Sequence, residues 1–159
     1  MKMRKYRSSD LQSILDVNML AFAPIHESFE QILGENIFSL VYPDWRASNA
    51  EYIKSLVNSD DIKNVYVAES HDRIIGFIHF TINKEKLSGE IGLNAIHPDE
   101  QGNGYGKQMY EFALRIMKEE GIKLVCVGTG GDDSHIPACK AYESCGFKRL
   151  PLARYFLAL

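Results

Sequence analysis

The residues most capable of chemistry lie in His97–Lys107, HPDEQGNGYGK, where Gly102, Gly104 and Gly106 alternate between an apolar run and an amphipathic one. A strand, a glycine-rich turn and a helix start in that order bring unpaired backbone N–H groups and the positive end of a helix dipole to one point. That arrangement suits a phosphate or a diphosphate. Two common phosphate loops are excluded by spacing. A Walker loop needs Ser or Thr after its Gly-Lys and a glycine at its first position, but Gln108 follows Gly106-Lys107 and Gln101 holds the first position. The dinucleotide pattern can begin at Gly102 and Gly104, yet its third glycine falls on Lys107, and Val125-Cys126-Val127 stand where a ribose-binding acid belongs.

The elements that position this loop can be read from periodicity. Residues 2 to 7 alternate as a first strand, and Ser8-Ser9-Asp10 is a helix-capping cluster. A helix from Leu11 is expected to close at Pro24, a second amphipathic run covers Phe29 to Leu40, and a third covers Tyr52 to Val57; residues 41 to 46 read as a loop. Val65–Ala68 and Ile74–Ile82, joined by Ser70-His71-Asp72-Arg73, form a hairpin. Glu90–Ile96 is the strand entering the glycine loop, and the helix after it carries Met109, Phe112, Ala113, Ile116 and Met117 on one face. Lys123–Val127 is a strand, 134 to 145 a helix, and Phe147–Leu150 and Ala153–Leu157 are two last strands broken by Pro151. A hairpin followed by strands joined through helices predicts an α/β fold with a mixed sheet.

The spacing that fits the loop is Gln-x-x-Gly-x-Gly, at Gln101, Gly104 and Gly106, followed downstream by Tyr142-Glu143-Ser144-Cys145-Gly146-Phe147. Residues 88 to 148 resemble the GNAT superfamily of N-acetyltransferases in their central strand, pyrophosphate loop and Tyr-x-x-x-Gly-Phe helix. The resemblance implies one domain over 1–159: a mixed, mostly antiparallel central sheet flanked by helices, with a splayed central strand pair. It implies acetyl-coenzyme A, held by the loop residues Gln101, Gly102, Asn103, Gly104, Tyr105, Gly106 and Lys107. Backbone groups at Ala95 and Ile96 would pair with the pantetheine arm, and Gly92 would be a bulge that opens the slot.

An alkylamine with a pKa near ~10.4 is protonated at neutral pH, so transfer to it needs a proton acceptor. Glu90 stands where family members place a catalytic glutamate, and would act directly or through water. Tyr142 matches the family's acid, protonating the departing thiolate. Many members carry Asn seven residues before that tyrosine to hold the pantetheine; His135 occupies the position here, and its charge would respond to pH. Acceptor specificity in such folds lies after the first helix, which singles out Phe29, Tyr42 and Trp45 among a wider group that includes Phe22, His26 and Asp44. The expected acceptor is a primary amine of a small molecule or a peptide, attacking directly in a ternary complex. A non-catalytic acyl-coenzyme A sensor would need the loop but neither Glu90 nor Tyr142.

Composition narrows the remaining classes. The 159 residues carry 18 Lys+Arg against 21 Asp+Glu, and no basic cluster is interleaved with aromatics, which argues against a nucleic-acid partner. The deficit lies in residues 1 to 80, with 8 basic against 11 acidic side chains, a weak pointer to a cationic substrate there. No apolar run is long enough to span a bilayer and no signal-peptide core follows the basic start, so a cytoplasmic protein without a membrane partner is expected. Cys126, Cys139 and Cys145 lack metal-ligand spacing and read as reduced, and dispersed histidines predict no metal site. A homodimer is compatible with all of this.

Overall fold

The computed structural model describes all residues, Met1–Leu159. Five strands form one sheet in chain order: β1 (Lys2–Lys5), β2 (Val65–Ser70), β3 (Arg73–Asn83), β4 (Ser88–Ile96) and β5 (Leu124–Val127). The first four pair antiparallel, and β5 runs parallel to β4. The helices are α1 (Leu11–Val41), α2 (Trp45–Val57), α3 (Tyr105–Glu119) and α4 (Ile136–Ser144). Strand alternation sends neighbouring side chains to opposite faces, so Phe77 joins Ile14, Val17, Ile53 and Leu56 of α1 and α2. Ile78, Phe80 and Ile91 instead pack on Met109, Ala113 and Met117 of α3. No helix is long and apolar enough to cross a membrane.

The feature that positions the site is a bulge in β4. Ile78 pairs with Asn94 and Phe80 with Ile91, so His79 alone opposes Gly92 and Leu93. A Cβ at Gly92 would stand 2.8 Å from His79 Nδ1, so the close approach requires glycine. β5 pairs with β4 only from Ser88 to Ile91. Beyond that point the two strands diverge, and the Gly92–Ile96 edge of β4 has no neighbouring strand.

Three local expectations change. Pro24 does not close the first helix; helical backbone continues to Val41 and is interrupted instead at Gly34, where φ is 74° and ψ 156°. A proline removes one helical hydrogen bond, and here packing of both flanks outweighs that loss. The loop expected over 41 to 46 shrinks, because α2 starts at Trp45, with Asp44 accepting a hydrogen bond from the Ala47 N–H (2.9 Å). The two last strands do not form. The final backbone bond runs from Phe147 N to Tyr142 O, and residues 148 to 159 make none. Strand propensity is realised only by pairing, and Pro151 lacks an N–H in the middle of the segment.

One ion-pair cluster ties β1 to the start of α1. Arg4 donates from Nη1 and Nη2 to both carboxylate oxygens of Asp10 (2.7 and 2.9 Å) and from Nε to Glu69 (3.1 Å). The Arg4 hydrogen bonds hold the Asp10 carboxyl below its ordinary range against the opposing effect of burial. A depressed folded-state pKa contributes stability that is present above the unfolded value and lost as pH falls through the folded one. The thermal midpoint is therefore expected to fall steeply below about pH 4. Asp10→Asn should lower the midpoint at pH 7 and flatten that acid decline; an unchanged acid limb in a pH series of melting curves would remove Asp10 as its source.

Candidate active site

A cleft of about 800 Å3 opens where β4 leaves β5. One wall is the β4 edge from Gly92 to Ile96, one end is the loop from Gln101 to Lys107, and Ser134, His135, Ala138 and Tyr142 form the facing side. Ala21, Phe22, Pro24 and Ile25 of α1 and Tyr52 of α2 close the other end. The structure thus brings all seven loop residues except Asn103 into the lining, together with Ala95, Ile96, His135 and Tyr142.

The loop's backbone explains its sequence. Gly102 and Gly104 have φ of 80° and 74°, and Gly104 is the left-handed N-cap of α3. None of the backbone amides from Gly102 to Lys107 donates a hydrogen bond within the chain; the first paired one is Gln108 N, which donates to Gly104 O (3.2 Å). A run of free amides at the positive end of a 15-residue helix is an anion cradle. Gln101 acts differently from its neighbours: its Nε2 donates to Ile96 O (3.1 Å), tying the loop to the end of β4.

Tyr142 is 6% exposed and packs on Tyr110 with ring centroids 4.5 Å apart. Asn94 links the two. Its Oδ1 accepts from the Tyr110 hydroxyl (2.9 Å), and its Nδ2 donates to Tyr142 Oη (3.4 Å) and to Gly92 O (2.9 Å). Burial, reinforced by Tyr142, pushes the Tyr110 hydroxyl far above its ordinary range, so Tyr110 keeps its proton. Since Tyr142 Oη accepts from Asn94, its own O–H remains available to the cleft. Tyr110 and Asn94 escaped the sequence reading because a helix stripe and a strand residue carry no signal of pairing with each other.

Other expected site residues lie elsewhere. Glu90 falls between Gly89 and Ile91, both of which face α3, so its side chain emerges on the α1–α2 face of the sheet; it is exposed and is not among the cleft-lining residues. Phe29, Tyr42 and Trp45 do not line the cleft either. They gather around the buried His26, which stacks on Trp45 (4.2 Å, 15°) and meets Phe29 and Tyr42 edge-on. Burial, with Arg46 and His135 nearby, lowers the His26 pKa to about 4. The cluster reaches the cleft indirectly, through Phe29 stacked on His135 (5.6 Å). Continuation of α1 past Pro24 is what turns Phe29 toward α4. No group of three or more His, Cys, Asp or Glu side chains is placed to hold a metal.

A splayed mixed sheet with free amides at a helix start and a buried tyrosine opposite defines a class of α/β proteins that hold a diphosphate-bearing ligand beside an unpaired strand edge. The profile of the acetyltransferase (GNAT) family matches residues 27–147, and this chain belongs to that family. Among curated relatives, a mycothiol acetyltransferase of Thermomonospora curvata is 33% identical over 89 residues, covering 56% of this chain and 29% of the relative. One from Actinosynnema mirum is 35% identical over 78 residues, covering 49% and 25%. The aligned stretches span roughly a quarter to a third of those relatives' lengths. In fold, the chain is similar to the PaiA N-acetyltransferase of Thermoplasma acidophilum, solved with coenzyme A: TM-score 0.72 at 20% identity, over 92% of this chain and 89% of that one. A GNAT acetyltransferase of Brucella melitensis, solved with acetyl-CoA, gives a TM-score of 0.63 at 21% identity, over 93% and 82%.

Proposed function

We propose that this protein transfers an acetyl group from acetyl-coenzyme A to a primary amine of a small molecule or peptide, by direct attack within a ternary complex. The observation that carries this reading is the row of unpartnered amides from Gly102 to Lys107, at one end of a cleft whose side is the unpaired β4 edge. Those amides fit a diphosphate, and the Gly92–Ile96 edge offers an extended chain the place of an added strand. When bound, acetyl-coenzyme A supplies a thioester carbonyl and a thiolate leaving group. The Tyr142 hydroxyl faces that slot and is assigned the proton that the thiolate needs, its conjugate acid having a pKa around 8.5. Glu90, exposed and outside the cleft lining, makes no contact with that slot and is given no part in the transfer.

The acceptor enters from the end walled by Phe22, Ile25 and Tyr52, where apolar side chains favour an amine carried on a partly apolar body. A neighbour in fold named as an aminoglycoside acetyltransferase and solved with sisomicin makes aminoglycosides the first amines to try, and relatives named mycothiol acetyltransferases keep other small-molecule amines in the panel. The test is release of free thiol from acetyl-coenzyme A with a panel of amines (kanamycin, spermidine, glucosamine, an alanine-terminated hexapeptide). Enzyme-dependent release with one of them is the expected result. Failure to bind coenzyme A at micromolar concentration refutes the reading; tight binding without release for any amine transfers it to the acyl-coenzyme A sensor.

A further inference from the structure

The loop between β5 and α4 carries a carboxylate–imidazole pair on the cleft wall. Asp132 Oδ2 accepts hydrogen bonds from Ser28 Oγ of α1 (2.7 Å) and from Ser134 Oγ, and Asp132 Oδ1 lies 2.7 Å from His135 Nδ1. Burial raises the carboxyl's proton affinity, but hydrogen bonds from Ser134, Ser28 and His135 outweigh it and keep the group ionised. An ionised carboxylate only accepts, so Nδ1 turns a proton toward Asp132, and Nε2, which bonds to nothing in the chain, is the ring nitrogen left to meet a ligand. The His135 side chain is 11% exposed, lines the cleft with Tyr142, and is fixed in plane by the stacked Phe29.

Resting on the acetyl-transfer reading above, we propose that His135, oriented by Asp132, is the catalytic base that receives the acceptor's proton. As the amine nitrogen bonds to the thioester carbonyl carbon, it becomes far more acidic than a free ammonium, and its proton passes to His135 Nε2. The C–N bond forms, the C–S bond breaks, and the departing sulfur takes the Tyr142 proton. Asp132 stabilises the resulting imidazolium, which returns its proton to solvent while Tyr142 is reprotonated. Asp132 is thus a positioning residue. The titratable groups around His135 are Asp132 on its own loop, His26 of α1, whose charge state it affects, and Lys140 and Tyr142 of α4, which share the cleft. Lys140 and a protonated His26 oppose the imidazolium, and Asp132 favours it.

The experiment measures kcat against pH with the best amine of the panel for the wild type, His135→Gln, Asp132→Asn and Glu90→Gln. His135→Gln is expected to keep the acetyl-coenzyme A KM within about threefold while kcat falls by about 10²-fold or more, and the lower pH limb is lost. Asp132→Asn should weaken and displace that limb, whereas Glu90→Gln should retain it. A glutamine variant with near-normal kcat and an intact limb, or a limb lost only in Glu90→Gln, overturns the assignment in favour of a mere pantetheine contact. Nitrogen-15 shifts of His135 in the coenzyme A complex at pH 8 give a readout free of turnover: unprotonated Nε2 is expected, and a protonated, donating Nε2 refutes the base. A wild type that turns over no amine refutes the transferase reading itself, and the base with it.

Discussion

Tyr142→Phe is expected to lower kcat by about 10²-fold while the dissociation constant for coenzyme A stays within about twofold. The ring sits against Tyr110 and Phe147, and phenylalanine keeps that packing. What disappears is a buried O–H on the cleft wall that donates to nothing in the chain, whereas Tyr110 spends its own on Asn94. Asn94 Nδ2 loses an acceptor at 3.4 Å but retains Gly92 O at 2.9 Å, so the fold should lose no more than about 1 kcal/mol. An acetyl thioester of a more acidic thiol needs no protonation on departure, so the variant should recover most of its deficit with such a donor. Equal turnover of wild type and variant with acetyl-coenzyme A removes Tyr142 from the mechanism.

Gly104→Val should raise the coenzyme A dissociation constant by about 10²-fold, the second large effect. Nothing stands within 4 Å of a Cβ at this position, so the cause is backbone conformation rather than collision. With φ at 74° and ψ at 8°, a β-branched residue is strained by roughly 1–3 kcal/mol and relieves the strain by moving away from the left-handed region. That movement re-aims the amides on either side and dissolves the anion cradle. Asparagine tolerates the region best among residues with side chains, so affinity should order Gly, Asn, Ala, Val. Gly121, at φ 81° beyond the other end of α3, is the control: Gly121→Val carries similar strain and should lower the melting point without weakening coenzyme A. Equal loss of affinity in both variants would show that general destabilisation, not the cradle, is being measured.

The glycine loop was legible because its requirement is local: alternating glycines between a strand and an amphipathic helix describe a turn that other residues enter only under strain. α3 was legible for a similar reason, its apolar stripe repeating at helical spacing from Met109 to Met117. Tyr142 and His135 were picked out through the family resemblance, by the Tyr-x-x-x-Gly-Phe ending and the position seven residues before its tyrosine, without the partners that define their chemistry.

What the chain alone decided, then, was the strand–loop–helix unit, the β2–β3 hairpin and the mixed character of the sheet, all set by patterns within a few residues. Only the tertiary structure set Asn94 between Tyr110 and Tyr142, brought Ser28 across 104 residues of sequence to Asp132, carried α1 through Pro24, and left 148 to 159 unpaired. Local preferences amount to about 1 kcal/mol per residue and are overruled by packing, and a side chain's proton partner depends on which distant element folds against it.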